Sequence, residues 1–191
     1  VTVYPGKDDQ GIVFKRIDLK KNNLIQANYK NVKSAKLCTS LENQFGAKIS
    51  TVEHILAAFY IAGIDNAFVE IDNEEIPIMD GSAKNFLEIL KSNIEIIKLS
   101  KKRKYLKIVE ETKLIDDKRE ISIEPSNNSF EVDFQLNYEN KIIGNQKNIV
   151  NFHSDKLEQV YEARTFCLYE DIEKIKSIGL AKGGSLDNAL V

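Results

Sequence analysis

Glu53 and His54 are neighbours, and a carboxylate beside an imidazole is the pairing with the greatest chemical capacity in this chain. Adjacent residues on a helix point about 100° apart. One of the two can therefore ligate a metal while the other faces a water on that metal. This differs from His-Glu-x-x-His, in which two ligands share one helical face. A structural reading stands beside the chemical one. Ser50 is placed to cap a helix and Glu53 follows at capping-box spacing, so the cap alone would account for the glutamate. A single histidine such as His54 is more often packed or on the surface than bound to metal.

The neighbouring residues set the elements that must position this pair. Ile55, Leu56, Phe59 and Ile61 carry the helix into a core, and Gly63 stops it, with Ile64 folding back on the last turn. Asn66 to Asp72 reads as a strand with Ala67, Val69 and Ile71 on one face. Asp72-Asn73 turns the chain, Pro77 keeps Ile76 to Met79 extended, and Asp80-Gly81 turns it again. Ser82 is expected to cap a second helix whose Phe86, Leu87 and Leu90 share a face.

With 191 residues and 42% hydrophobic content the chain can bury one large core or two small ones. A net charge of −2 gives no global field for nucleic acid or an anionic membrane. The basic run Lys101-Lys102-Arg103-Lys104 reads as a solvated linker. Two cysteines, Cys38 and Cys167, do not make a disulfide framework, which fits a reducing, cytoplasmic setting. No signal peptide opens the sequence, and no apolar run is long enough to cross a bilayer.

Val1 to Tyr4 and Gly11 to Ile17 read as strands, joined by a turn over Pro5-Gly6 and Asp8-Asp9. Asn22-Asn23 closes a further turn, and a small β insert occupies roughly residues 18–45. Beyond the basic run, Lys104 to Leu114, Glu120 to Glu124 and Phe130 to Tyr138 read as an antiparallel meander, with turns at Asp116-Asp117 and Ser126-Asn127-Asn128. Phe130, Val132, Phe134, Leu136 and Tyr138 alternate, which predicts one buried and one wet face. A strand over Asn148 to Phe152 precedes two helices, one over Asp155 to Tyr161 capped by Ser154. The other runs from Asp171 to Ile178, with Ile172 and Ile175 inward and Gly179 as its stop. Both halves put strands first and two helices after. The expectation is an α+β fold built from a duplicated two-layer unit, with domains over 1–100 and 101–191.

Several ordered motifs extend the Glu53-His54 signal. They are Leu37-Cys38-Thr39, Thr51-Val52-Glu53-His54, Gly63-Ile64-Asp65-Asn66 and Glu75 through Ala83. Further on come Ala163-Arg164-Thr165-Phe166, Gly179-Leu180 and Gly183-Gly184-Ser185-Leu186-Asp187. Together, from Val1 to Val191, they resemble the zinc-dependent UDP-3-O-acyl-N-acetylglucosamine deacetylases of lipid A synthesis. The resemblance implies that two α+β units face each other with a Zn2+ site between their helix layers. It implies that His54 is a zinc ligand, Glu53 the general base and Thr165 the hydroxyl on the oxyanion side. A β-branched residue that fixes the Arg164-Thr165-Phe166 bend is the plainer reading of Thr165. The resemblance places Leu37 and Cys38 beside the metal as lining. It places Phe166, Ile172, Ala181, Gly184, Ser185, Asn188 and Val191 along an apolar passage for the acyl chain. Gly183-Gly184-Ser185 lacks the spacing and lysine of a phosphate loop.

The sequence departs from the family in its ligand set. A catalytic zinc takes three protein ligands. The family's other two, a His and an Asp, and a later catalytic histidine have no counterpart up to Val191. The other histidine, His153, reads as a turn residue. The family's opening strand, with its glycine–histidine loop, is unmatched as well. The expectation is an internal fragment lacking both ends and part of its second domain, with the remaining ligands beyond Val191. Alone it would hold zinc weakly and would not turn over. The contrasting reading is a degenerate, non-catalytic relative that keeps a sugar-nucleotide or acyl-binding surface.

Overall fold

The structure is a computed structural model that describes residues 1–93, 95–127, 129–177 and 183–191. The expected turn residue Asn128, the helix stop Gly179 and the lining candidate Ala181 lie outside these. The fold is mixed α+β, as the alternation of strand and helix patterns predicts.

A four-stranded sheet is built from β1 (Thr2–Pro5), β2 (Ile12–Arg16), β3 (Leu24–Gln26) and β7 (Ala67–Ile71), in the order β1-β7-β2-β3. β7 runs antiparallel to β1 and parallel to β2, and β3 closes antiparallel on β2. Register aligns Val3 with Val69, Val69 with Phe14 and Phe14 with Ile25, so an apolar row crosses the sheet on one face. Helices α1 (Glu53–Ala62) and α2 (Lys84–Asn93) pack on each other and bring Ile55, Ala58, Phe59, Phe86, Leu87 and Leu90 into the same core. Each large side chain removed from water there contributes about 1.5–3 kcal/mol. The opposite face is wet: Lys15 Nζ pairs with Glu70 Oε1 at 2.8 Å. Gly63 ends α1 in the left-handed region (φ 73°), and Ile64 N–H donates to Phe59 O at 2.8 Å, as the Gly-Ile pair predicts.

In the expected insert and just beyond it, the chain forms an antiparallel sheet of β4 (Val32–Ser34), β5 (Ser40–Glu42) and β6 (Lys48–Ile49). Arg16, almost fully buried, ties it to the main sheet. Its guanidinium donates to both oxygens of Asp18 (2.8 and 2.6 Å) and to Lys48 O (2.7 Å).

Residues 1–102 and 158–191 make one compact unit and 103–157 another. The grouping follows contacts more than chain order. The segment after Leu157 returns to α2 through Ala83 N–H to Tyr161 O (3.1 Å) and the Lys84–Glu162 ion pair (3.0 Å). It carries α3, a single turn (Glu158–Tyr161), and α4 (Tyr169–Ser177). The longer helix expected from Asp155 does not form. Asn151 Oδ1 accepts from the amides of His153 and Ser154, and Asp155 Oδ2 from Asn151 N, so these polar side chains close a turn instead.

The 103–157 unit departs from the expected meander. Its described strands form two separate hairpins, β8 (Thr112–Asp116) with β9 (Arg119–Ile123), and β10 (Glu131–Asn137) with β11 (Asn145–Asn151). Of the strand read over Lys104 to Leu114 only Thr112 to Leu114 is paired, and β8 runs on to Asp116. The apolar alternation of β10 exists, but Phe134 stays 55% exposed. Among the described residues this unit has no helix to cover that face, and a two-stranded ribbon cannot bury one alone.

Candidate active site

The first turn of α1 is built by strain and pairing, and Ser50 is not its cap. Ser50 lies in an extended bridge to Glu75: its N–H donates to Glu74 O (2.8 Å), and its carbonyl accepts from Ile76 N (3.1 Å). Thr51 then reverses the chain at φ 59°, unusual for a β-branched residue, and Val52 occupies the N-cap with no side-chain hydrogen bond. Thr51 is buried, and its hydroxyl donates to Glu75 Oε1 at 3.1 Å. The capping box is therefore absent, and the Glu53 carboxylate is used elsewhere.

Glu53 Oε2 accepts from the backbone N–H of Thr39 at 3.0 Å, and Val52 N–H donates to Thr39 O at 3.4 Å. The Leu37-Cys38-Thr39 loop is thus fastened to the helix start, where the dipole favours a negative charge. Leu37 sits at φ 69° with its side chain exposed, and Cys38 Sγ lies 3.8 Å from Ser40 Oγ. Glu53 and His54 are both half-buried, so each can meet a ligand from solvent. Leu37, Thr51 and, beyond them, Met79 (φ 55°) are non-glycine residues in the left-handed region, and such positions gather at functional sites.

A second cluster forms around Gly81 (φ 85°). Asp80 Oδ1 accepts from the Ser82 N–H and hydroxyl, and Ser82 Oγ accepts from Lys84 N, so Ser82 organises the start of α2 as predicted. Thr165 N–H donates to Gly81 O (2.7 Å), and Thr165 O accepts from Leu190 N (3.0 Å). Phe166 bridges Leu190 in parallel. A side chain at Gly81 would place Cβ 2.1 Å from Asn188 O and 3.3 Å from Thr165 Cγ2, so only glycine permits this approach. Ser185 and Asn188 close the 183–188 turn: Asn188 Oδ1 accepts from Ser185 N, and Asn188 Nδ2 donates to Gly183 O (both 2.9 Å). Gly184 is exposed in that turn, Ile172 is half-buried on α4, and Val191 is exposed.

The structure brings the candidates into two groups within one compact unit. Leu37 and Cys38 lie in the loop that Thr39 fastens to Glu53, and Thr165 and Phe166 pair with Leu190, with Thr165 and Asn188 both against Gly81. Thr39 and Arg164 stand in the motifs without a role of their own, and Gly81 only as a turn residue. Their parts lie in backbone hydrogen bonds and close approach, which residue type alone does not announce.

The family model described as UDP-3-O-acyl N-acetylglycosamine deacetylase (LpxC) matches residues 1–191. The chain belongs to the LpxC family. Among its relatives, the UDP-3-O-acyl-N-acetylglucosamine deacetylase of Nautilia profundicola is 38% identical over 188 residues, covering 98% of this chain and 63% of the relative. Those of Pasteurella multocida (38% over 196 residues) and Tolumonas auensis (37% over 194) cover all of this chain and 63% of the relative. The chain thus spans less than two thirds of the length of these LpxC relatives.

Among the described residues no three His, Cys, Asp or Glu side chains gather in a group able to hold a metal ion. Near His54, Glu53 Oε2 is engaged by Thr39, and Cys38 neighbours a hydroxyl. The described residues do not by themselves gather the three ligands of a catalytic zinc. No described helix is long and apolar enough to cross a membrane.

Proposed function

We propose that the whole protein hydrolyses the N-acetyl group of UDP-3-O-acyl-N-acetylglucosamine and releases acetate, the committed step of lipid A synthesis. The observation that carries this reading is the Glu53 carboxylate. It is half-buried at a helix N-terminus, oriented by the Thr39 amide and adjacent to His54, in a chain of the LpxC family. Glu53 takes the proton of the attacking water through Oε1 while Thr39 holds Oε2. The Thr165 hydroxyl donates to the oxygen on which negative charge develops. His54 would contribute one imidazole to a Zn2+ site whose other ligands the described residues do not supply. Such an ion, when bound, would supply Lewis acidity toward the amide and a lower pKa for water.

Leu37 and Cys38 would line the site. Phe166, Ile172, Ala181, Gly184, Ser185, Asn188 and Val191 would line a passage for the acyl chain, each buried methylene adding about 0.8 kcal/mol. Exposed apolar groups at Phe166 and Val191 support that reading. The division into duplicated domains over 1–100 and 101–191, and work in the cytoplasm with both cysteines free, belong to the same proposal.

The experiment is acetate release by the full-length protein, before and after chelation and again with zinc restored. Activity lost to chelator and regained with zinc is the expected result. Chelator-insensitive turnover, or none with zinc present, would overturn it. Substrate binding without turnover would identify a non-catalytic relative.

A further inference from the structure

Arg164 lies next to Thr165 but reaches away from it in two directions. Its Nε donates to Asp80 O at 2.8 Å and its Nη2 to Leu186 O at 3.0 Å. These carbonyls belong to the two segments that hold Thr165. One is the Asp80-Gly81 turn, whose Gly81 O accepts from Thr165 N. The other is the 185–190 segment, whose Leu190 N donates to Thr165 O. The guanidinium therefore sets the spacing of the slot in which Thr165 is held. A planar fork can serve two carbonyls at once, whereas a lysine ammonium on a flexible stem cannot fix both.

Direction follows as well as distance. Thr165 Cγ2 is turned toward Gly81, 3.3 Å from where a Cβ there would stand. A β-branched side chain has a stiff χ1, so placing Cγ2 fixes Oγ1. Moving the Gly81 turn relative to the 185–190 segment would swing that hydroxyl.

We infer that Arg164 is a positioning residue for the Thr165 hydroxyl. The inference rests on the proposed deacetylation and adds to it the group that aims the oxyanion donor. Arg164 itself touches no reacting atom: it acts on kcat through Thr165.

The test is a double-mutant cycle in the full-length enzyme, read as kcat and KM for acetate release, with Arg164→Lys, Thr165→Val and the pair. Misplacing a reacting group by a fraction of an ångström lowers rate steeply, so Arg164→Lys is expected to lose about tenfold in kcat with KM within about twofold. In the Thr165→Val background the same change should cost less than about twofold more. Arg164→Ala should regain turnover saturably with added methylguanidine, and Thr165→Val should not. The inference alone is overturned if Thr165→Val is impaired yet Arg164→Lys keeps the parent kcat, or if the two losses multiply. A parent without acetate release, or Thr165→Val at the parent rate, overturns the functional reading itself.

Discussion

Glu53 shows how far a residue type can be read and where reading stops. Its place in the first turn of a helix is legible from Ser50 to Ile55, but its hydrogen-bond partner is not. The capping box predicts a short-range partner, and the structure supplies Thr39, fourteen residues earlier. The competing principle is the bridge between Ser50 and Glu75, which removes Ser50 from the cap and leaves Thr51 to make the reversal. Gly81 is the residue whose necessity is easiest to test. An alanine there must adopt φ 85° and drive Cβ against Asn188 O. Gly81→Ala is expected to destabilise the full-length protein by at least about 2 kcal/mol, the sum of left-handed strain and overpacking. The check is the urea unfolding midpoint; a variant as stable as the parent would show that the 188 carbonyl is free to move aside.

At the scale of elements, strands with a buried partner were legible and strands without one were not. Ala67, Val69 and Ile71 alternate and are buried as expected, because β7 is central in its sheet. The same alternation in β10 predicts burial that does not occur, since a period of two reports a face and not what covers it. Arg16 joins the main sheet to β6 through the Lys48 carbonyl, and its own pairing with Asp18 depends on pH. The hydrogen bond from Arg16 holds the Asp18 carboxyl below the usual carboxylate range, and Lys15 does the same for Glu70. A depressed folded-state pKa contributes stability that is present above the unfolded value, about 3.9 for Asp. It is lost as pH falls through the lower folded value. Asp18→Asn should therefore unfold at lower urea than the parent at pH 7, and the gap should close on acidification. A gap that stays constant down to pH 3 would remove Asp18 as its source.

At the scale of the whole molecule, family membership was legible because its motifs are short, ordered and spread from Leu37 to Asp187. Which segments pack together was not: residues 158–191 join the first hundred through Tyr161, Glu162 and Thr165, contacts that span about eighty positions. Metal content follows from the donor set. Residues 1–191 alone are expected to retain well under one zinc per chain after dialysis, and a full equivalent by metal analysis would reveal ligands among them. Exposed Leu114, Ile121 and Phe134 should make that stretch self-associate when isolated, visible as concentration-dependent light scattering. The central claim is that Glu53 is the base of an amide hydrolysis and not a structural cap. Its most direct test is kcat for acetate release by the full-length protein carrying Glu53→Gln. Glutamine keeps an acceptor for the Thr39 amide, so the unfolding midpoint and zinc content should match the parent while kcat falls by about 10²–10⁴. Turnover within a few-fold of the parent, or a loss explained by unfolded protein alone, would contradict it.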